Sequence, residues 1–165
     1  MRNFTTETTI VAIELQQLLT DFAREGDFNN GHNTADFYAE DGILEVGDTH
    51  TFHGRLAIRQ FYVKRNERVR TEQKGGVRTV RHTFTNVQVL IEDKDHATLN
   101  FGSLNYSAGG TPPLTDLVGP TLFSDCRMVL RRDASGQWRI TLFRGDAVFI
   151  GNDPFLNKTI LKGQQ

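Results

Sequence analysis

The sequence predicts an α+β domain in which helices cover one face of a curved antiparallel sheet. Two observations indicate this class: apolar residues at helical spacing dominate the first half of the chain, and four long strand-like segments dominate the second. Helices first and strands last within one small chain are typical of the α+β layout. The 165 residues fit a single domain with one core, covering residues 1–165.

Three helices are expected in the first half of the chain. Apolar residues recur at helical spacing over residues 6–24, where threonines can cap the start and Gly26 can end the helix. A short second helix is expected over residues 35–39. The third follows Gly54, and one face of it would be formed by Ile58, Phe61, Tyr62, Arg65 and Val69.

The strands are expected to begin with a short one at residues 43–46. Four long strands then cover residues 77–92, 97–107, 122–132 and 138–149. The turn-prone segments between the long strands predict an antiparallel meander. Residues 109–119 are more than a hairpin needs, so this segment is a candidate flap over a pocket.

The charge balance predicts no strong overall field. Nineteen basic and twenty acidic residues give a formal net charge of −1, which would not attract nucleic acid or an anionic membrane. The basic residues between Arg55 and Arg81 are interrupted by Glu67 and Glu72, as on a solvated helix face. We therefore expect neither nucleic acid nor a membrane as a partner.

Cysteine use and the start of the chain favour a cytoplasmic protein. Cys126 is the only cysteine, which excludes an internal disulfide and fits a reducing compartment. Residues 1–6 lack the apolar core and cleavage site of a secretory signal, and no segment approaches the roughly 18 apolar residues of a membrane span. A soluble, cytoplasmic protein is expected.

His82 is the leading candidate for chemistry. It lies in the predicted strand segment 81–86, and imidazole is the side chain whose ordinary pKa lies closest to neutrality. We expect Asp27, after the first helix, to be its partner, because a carboxylate fixes the tautomer of the imidazole and makes it more basic. The alternative is a partly buried histidine bonded to backbone, with Asp27 serving only as a turn residue.

The alternation of strand side chains predicts which residues face a pocket. One face of the His82 strand would mix polar and aromatic groups, as ligand cavities do: His82, Phe84, Asn86, Gln88 and Leu90. The other face is rich in β-branched residues and suits packing under a helix or against a second subunit. On the last strand, Arg144 and Asp146 would share a side, either as an exposed ion pair or as substrate-orienting groups.

Other motifs add little. His32, His50 and His53 have loop-like surroundings rather than one shared face, so no metal site is expected. Three tyrosines could each donate a hydrogen bond to a carbonyl oxygen, with Tyr106 as the best candidate: Tyr38, Tyr62 and Tyr106. The glycine motifs of nucleotide binding and the G-x-S-x-G motif of serine hydrolases are missing from the sequence.

Five segments, in order, are similar to the motifs of a known family: residues 18–27, 37–42, 52–62, 81–86 and 133–140. They are similar, in order, to a first helix with a terminal aspartate, F-x-x-D-G, G-x-x-A-I-x-x-F, R-H-x-x-x-N and a D-G-x-W-R-I hairpin. On these motifs the chain resembles the SnoaL-like family of the nuclear transport factor 2-like superfamily, which includes scytalone dehydratase and ketosteroid isomerase. The likeness covers nearly the whole chain and is more specific for fold than for function.

The resemblance implies a cone-shaped, cystatin-like roll with about three N-terminal helices over a deep apolar pocket. It implies that His82 and Asp27 serve as acid and base in dehydration, isomerisation or a related proton transfer on a hydrophobic cyclic or polyketide-like compound, without a cofactor. Dehydratases of the scytalone type carry a second histidine on the next strand, where this chain has Asn105 and Tyr106. The expected substrate-binding residues are Tyr106, Asn105, Phe84, Asn86, Tyr38 and Arg144.

A second function stays open at this point, because the same superfamily contains non-catalytic members. The chain could bind a small apolar ligand or act as an assembly partner, as the β-subunits of ring-hydroxylating dioxygenases do. A pocket filled by phenylalanines, or His82 and Asp27 pointing apart, would favour that alternative. A homodimer through the outer face of the sheet is expected in either case.

Overall fold

Three α-helices and six β-strands make up the computed structural model, which describes residues 5–115 and 119–161. The described helices are α1 (Thr6–Phe28), α2 (Arg55–Glu72) and α3 (Pro154–Ile160). The described strands are β1 (Tyr38–Val46), β2 (His50–His53), β3 (Arg78–Ile91), β4 (His96–Gly109), β5 (Leu122–Arg132) and β6 (Trp138–Ile150). None of the described helices is both long and apolar enough to cross a membrane.

The six strands form one open, curved sheet in the order β2-β1-β6-β5-β4-β3. Strands β3 to β6 form the predicted antiparallel meander, whereas β1 lies parallel to β6. The α+β class is thus confirmed. The expected helix over residues 35–39 is instead a single 3-10 turn, Thr34–Phe37, which leads directly into β1, and neither β2 nor α3 was expected.

The helices pack on one face of the sheet and close the core. Thr5 and Thr8 form a capping box that starts α1, and Leu15 and Leu19, one turn apart, bury its inner face. Helix α2 buries Ile58 and Val69. Between helices and sheet lies a core of fully buried side chains: Leu15, Tyr38, Ile58, Leu99, Met128, Leu130 and Ile140.

A bulge in β3 corrects the predicted alternation along this strand. Asn86 adopts a left-handed backbone conformation with φ of 53°, and the pairing with β4 shifts between Thr85 and Gln88. One extra residue moves every following side chain to the other face, so Val87 and Val89 pack against the core together with Phe84. The prediction that Asn86, Gln88 and Leu90 share a face with His82 was therefore wrong.

A buried ion pair fixes α3 to the sheet. Arg78 of β3 donates to Asp153, the N-cap of α3, and their side chains are only 2% and 6% exposed. Ser107 Oγ donates to the same carboxylate at 2.7 Å. Burial alone would raise the pKa of Asp153, but the hydrogen bonds from Arg78 and Ser107 outweigh it and the pKa is lowered. The contribution of Asp153 to stability is therefore present at neutral pH and is lost as the pH falls through its folded-state pKa.

We expect Arg78→Leu to destabilise the protein by about 3–5 kcal/mol, because it leaves the Asp153 carboxylate buried without its cation. Urea denaturation followed by circular dichroism measures this free energy of unfolding. Arg70→Leu is the matched control, since the Arg70 side chain is 71% exposed and only 4.0 Å from Glu67. Equal stability of the two variants would contradict a structural role for the buried pair.

Candidate active site

A cavity of about 510 Å³ lies between the helices and the covered face of the sheet. Its wall is largely apolar and includes Phe22, Leu44, Phe61, Val80, Phe84, Leu122, Phe143, Ile150, Phe155 and Leu156. Its polar side chains include Thr34, Tyr62, Arg65, Arg78, His82, Ser103, Asn105, Ser107 and Ser124. This size and composition are typical of small-molecule sites.

The unforeseen C-terminal helix α3 contributes four residues to the cavity wall, Phe155, Leu156, Thr159 and Ile160. The predicted flap, residues 109–119, includes residues 116–118, which lie outside the described part of the chain. Of its described residues, none belongs to the cavity wall. The described cover over the pocket is thus a helix held by the Arg78–Asp153 pair.

His82 and Asp27 contact each other through two hydrogen bonds. His82 Nδ1 lies 2.6 Å from Asp27 Oδ1, and the backbone N–H of His82 donates to Asp27 Oδ2 over 3.1 Å. The Asp27 side chain is 7% exposed and that of His82 is 27% exposed. When neutral, an imidazole that donates its Nδ1 proton to a carboxylate carries its lone pair on Nε2, the arrangement of a general base.

The end of α1 is built to hold this carboxylate. A carboxylate in the last turn of a helix is disfavoured by the helix dipole, and Arg81 beside His82 offsets this. Arg81 donates to the backbone carbonyl of Asp27 at 3.0 Å, and its guanidinium lies 4.2 Å from the ring centroid of Phe28. The imidazole packs close to Gly26, where a Cβ would lie 3.7 Å from His82 Cε1, an ordinary van der Waals distance.

Asn105 lies opposite His82 in the pairing of β3 with β4, and both residues line the cavity. Ser103 Oγ donates to Asn105 Oδ1 at 3.0 Å. This bond orients the amide and leaves its Nδ2 group to donate to a ligand. A base and a neutral donor therefore stand side by side on adjacent strands.

His82 also borders a second, more open cavity of about 500 Å³ between α1 and β3. This outer groove is lined by Gln16, Leu19, Thr20, Ala23, Arg24, Asp27, Phe28, His82, Phe84 and Val87. Ala23, His82 and Phe84 line both cavities, so they form part of the wall between them.

Four of the expected substrate-binding residues lie elsewhere. Tyr106 follows Asn105 and therefore faces the other side of the sheet, where it is 36% exposed. Asn86 occupies the bulge, and Tyr38 is a fully buried core residue whose pKa is raised by burial. Arg144 lies outside the cavity wall and forms ion pairs with Glu45, Asp48 and Asp146.

The cavity contains polar residues that the sequence did not single out. Thr34 and Arg65 both belong to its wall, as does Tyr62, which was weighed only as a general donor. Cys126 also lines it, and burial raises the pKa of this thiol to about 12, so the thiol stays protonated. In the described part of the chain, no group of three or more histidine, cysteine or acidic residues is placed to bind a metal ion.

The His82–Asp27 geometry makes a spectroscopic prediction. We expect the neutral His82 ring to carry its proton on Nδ1, because Asp27 accepts it there, and ¹⁵N shifts of the two ring nitrogens distinguish the tautomers. Asp27→Ala removes the acceptor, so signals of both tautomers are expected. Asp93→Ala is the control: it disrupts the exposed His96–Asp93 contact of 3.0 Å and should leave His82 unchanged. A wild-type His82 protonated on Nε2 would contradict this geometry.

Family and structure comparisons agree with the fold. The chain matches the SnoaL-like domain family over residues 12–144. No curated protein sequence gives a significant match to the chain.

Solved structures of low sequence identity share this fold. A candidate scytalone dehydratase from Novosphingobium aromaticivorans has a TM-score of 0.72 at 13% identity, over 91% of this chain and 92% of its own. A protein from Catenulispora acidiphila in complex with S-DNPA has a TM-score of 0.68 at 19% identity, over 84% and 94%. An NTF2-like protein with a cystatin-like fold from N. aromaticivorans has a TM-score of 0.65 at 18% identity, over 90% and 93%. The chain therefore belongs to the SnoaL-like domain family, with the nuclear transport factor 2-like, cystatin-like α+β fold.

Proposed function

We propose that the protein is a cofactor-independent lyase or isomerase that moves a proton on a hydrophobic cyclic or polyketide-like carbonyl compound. The observation that carries this proposal is the 2.6 Å contact between His82 Nδ1 and Asp27 Oδ1 at the wall of a largely apolar cavity. A carboxylate that holds the Nδ1 proton leaves Nε2 as a base, and such pairs are suited to general acid–base catalysis.

His82 would act first as the base and then as the acid. Its Nε2 takes the proton on the carbon next to the substrate carbonyl, and the electron pair of that C–H bond moves towards the carbonyl oxygen. In a dehydration, the neighbouring C–O bond then breaks, and the imidazolium returns the proton to the departing hydroxide as water. In an isomerisation, the proton returns to another carbon. Asp27 stabilises the imidazolium throughout, because its carboxylate remains hydrogen-bonded to Nδ1.

Asn105 would stabilise the charge that develops on the carbonyl oxygen. Its amide is oriented by Ser103 and lies on the strand next to His82, so the donor and the base can reach adjacent atoms of one ligand. Hydrogen-bond donors fixed in advance at such an oxygen are among the largest contributions to catalysis. Phe84 would pack against the apolar body of the substrate.

The comparisons support a small-molecule site of this type. One structural neighbour is a candidate scytalone dehydratase, and another was solved in complex with S-DNPA. The alternative is a ligand-binding or assembly protein, such as a dioxygenase β-subunit-like cone. The close His82–Asp27 contact favours the enzyme, because a purely apolar binder gains nothing from an imidazole oriented by a buried carboxylate. We expect the protein to act in the cytoplasm, since Cys126 forms no disulfide.

Turnover tests the proposal on a substrate found by screening aromatic and polycyclic hydroxy ketones. We expect His82→Gln to lower kcat by about 10²–10⁴-fold, because it removes the group that transfers the proton. Asp27→Asn should lower kcat as well, since it removes the charge that stabilises the imidazolium. His96→Gln is the matched control, because His96 is an exposed turn residue with a similar carboxylate partner.

Folding of each variant is checked by circular dichroism before the assay. Full turnover in both folded variants would eliminate the proposed acid–base pair. Retained ligand affinity without turnover in the wild type would favour the binding protein instead.

We also propose a homodimer formed through the outer face of the sheet. Leu104 pairs with Phe123, and Phe123 pairs with Phe149, so that apolar residues run across β4, β5 and β6 on the face opposite the cavity. Phe149 is 70% exposed, which is unusual for a large aromatic side chain on a row of this kind.

Sedimentation velocity at micromolar concentration tests this dimer. We expect a dimer for the wild type and a monomer for Phe149→Asp, because the substitution places a charge in the apolar row. Val63→Asp on α2 is the control, since Val63 is 52% exposed on the helical side and should leave the dimer intact. A monomeric wild type would rule out this interface.

A further inference from the structure

Arg65 is a cation of the cavity wall without a carboxylate partner in the described part of the chain. It lies on α2, and Nη1 donates to Asn66 Oδ1 at 2.9 Å and lies 3.5 Å from the carbonyl oxygen of Asn30. Both contacts use Nη1, so Nε and Nη2 have no described partner. A guanidinium carries five N–H donors, and an incompletely bonded one at a largely apolar cavity favours an anionic ligand.

The neighbouring arginines, unlike Arg65, each have a carboxylate partner. Arg78 is neutralised by Asp153, and Arg68 is neutralised by Glu72. Glu72 is shared with Lys158, so the cations around Arg65 outnumber the carboxylates that pair with them. Burial lowers the pKa of Arg65, the neighbouring Tyr62 raises it, and the nearby Arg78 and Arg68 lower it; the net shift is downward, which indicates that the positive charge lies in an unfavourable setting. A bound anion would offset this excess of positive charge.

Two neutral donors line the cavity together with Arg65. Thr34 is 2% exposed and lines the cavity, yet its Oγ1 makes no hydrogen bond of good geometry with any described residue. Its polar neighbour is the Tyr62 phenol, whose pKa burial raises although the hydrogen-bonding contact with Thr34 lowers it. The net shift of the Tyr62 pKa is upward, so the phenol keeps its proton and can donate. Because the contact between Thr34 and Tyr62 is not a well-formed hydrogen bond, a ligand oxygen at the cavity wall would give the buried hydroxyl a better partner.

The loop between α1 and the 3-10 turn holds these groups together. Glu25 accepts a hydrogen bond from the backbone N–H of Asn33 at 2.6 Å, which fixes the loop that follows the catalytic end of α1. Gly31 is required there, because a Cβ would lie 2.8 Å from the Tyr62 ring and 3.0 Å from Thr34 Oγ1. The carbonyl of Asn30 then contacts Asn66 at 3.1 Å, next to Arg65.

We propose that Arg65, with Thr34 and Tyr62, forms a subsite that binds a carboxylate of the substrate. The inference rests on the proposed function in taking the cavity as the substrate site, and it narrows the substrate class to hydrophobic carbonyl compounds that carry a carboxylic acid. A planar guanidinium matches a carboxylate with two parallel hydrogen bonds. The apolar wall would hold the ring system, and His82 would act on another part of the same molecule.

Binding of a matched pair of probes tests the subsite, with 2-naphthoate as the acid and 2-naphthamide as its neutral isostere. We expect the wild type to bind the acid about tenfold or more tightly than the amide by isothermal titration calorimetry, because hydrogen bonds to charged groups contribute this much. Arg65→Met should abolish the preference by weakening the binding of the acid without changing the binding of the amide. Arg65→Lys should retain part of it, because lysine keeps the charge but loses the planar fork.

Arg70→Met is the control, since it removes the same charge from the same helix at a side chain that is 71% exposed. It should keep the wild-type preference for the acid. Thr34→Val should weaken the acid and leave the amide affinity unchanged. Equal affinity of acid and amide in the wild type, or an unchanged preference in Arg65→Met, would overturn the proposal.

The experiment separates this subsite from the catalytic proposal. His82→Gln lacks the proposed base but keeps Arg65, so it should retain the wild-type preference for the acid. Loss of that preference in His82→Gln would overturn an anion site centred on Arg65. If His82→Gln keeps full turnover, only the catalytic role of His82 is contradicted. The conclusion about Arg65 still depends on the probe affinities.

Discussion

The two hydrogen bonds between Asp27 and His82 are the constraint on which the site depends. They join the last turn of α1 to β3, so the same contact that orients the imidazole also sets where the helix meets the sheet. A carboxylate in that turn opposes the helix dipole and is also largely withdrawn from water. It is tolerated because a backbone N–H and a ring N–H are hydrogen-bonded to the carboxylate, while the guanidinium of Arg81 donates to the backbone carbonyl of Asp27.

The sheet supplies the rest of the site by register rather than by sequence proximity. Pairing of β3 with β4 sets Asn105 opposite His82, and pairing of β4 with β5 sets Leu122 opposite Asn105 and Ser124 opposite Ser103 at the cavity wall. On the helical side, α2 contributes Tyr62 and Arg65. The cavity thus has an imidazole and an amide on its sheet side and the Arg65 guanidinium on its helical side, and aromatic residues also line its wall.

Periodicity predicted the long strands closely, because their alternation and turn residues are local signals. Strand β5 has the expected bounds, and the β3–β6 meander followed from short turns. Local signals failed to predict features that depend on tertiary contacts. Helix α1 continues past Gly26 because Arg81 and His82 hold its last turn, and the bulge at Asn86 reverses the faces of β3. Helix α3 had a signal in Asp153-Pro154, an N-cap followed by proline.

The candidate site was predictable only in part for the same reason. His82 and Phe84 line the cavity because they precede the bulge, and Asn105 lines it because it pairs with His82. Tyr106 and Tyr38 were expected there from side-chain chemistry. Tyr106 instead lies on the outer face of the sheet, and Tyr38 is buried in the core. Arg65 looked like an ordinary member of a helix face, because a sequence cannot reveal which arginine lacks a carboxylate neighbour.

The position of His82 in the wall between the central cavity and the outer groove determines where a captured proton can go. A base enclosed on all sides would hand the proton back to the same ligand. His82 lines both cavities, so under the proposed mechanism a proton held by this imidazole would also meet the more open outer groove, where it can exchange with water. In an isomerase of this kind, exchange with solvent would compete with the return of the proton to another carbon, so part of a tritium label taken from the first carbon would be lost from the product.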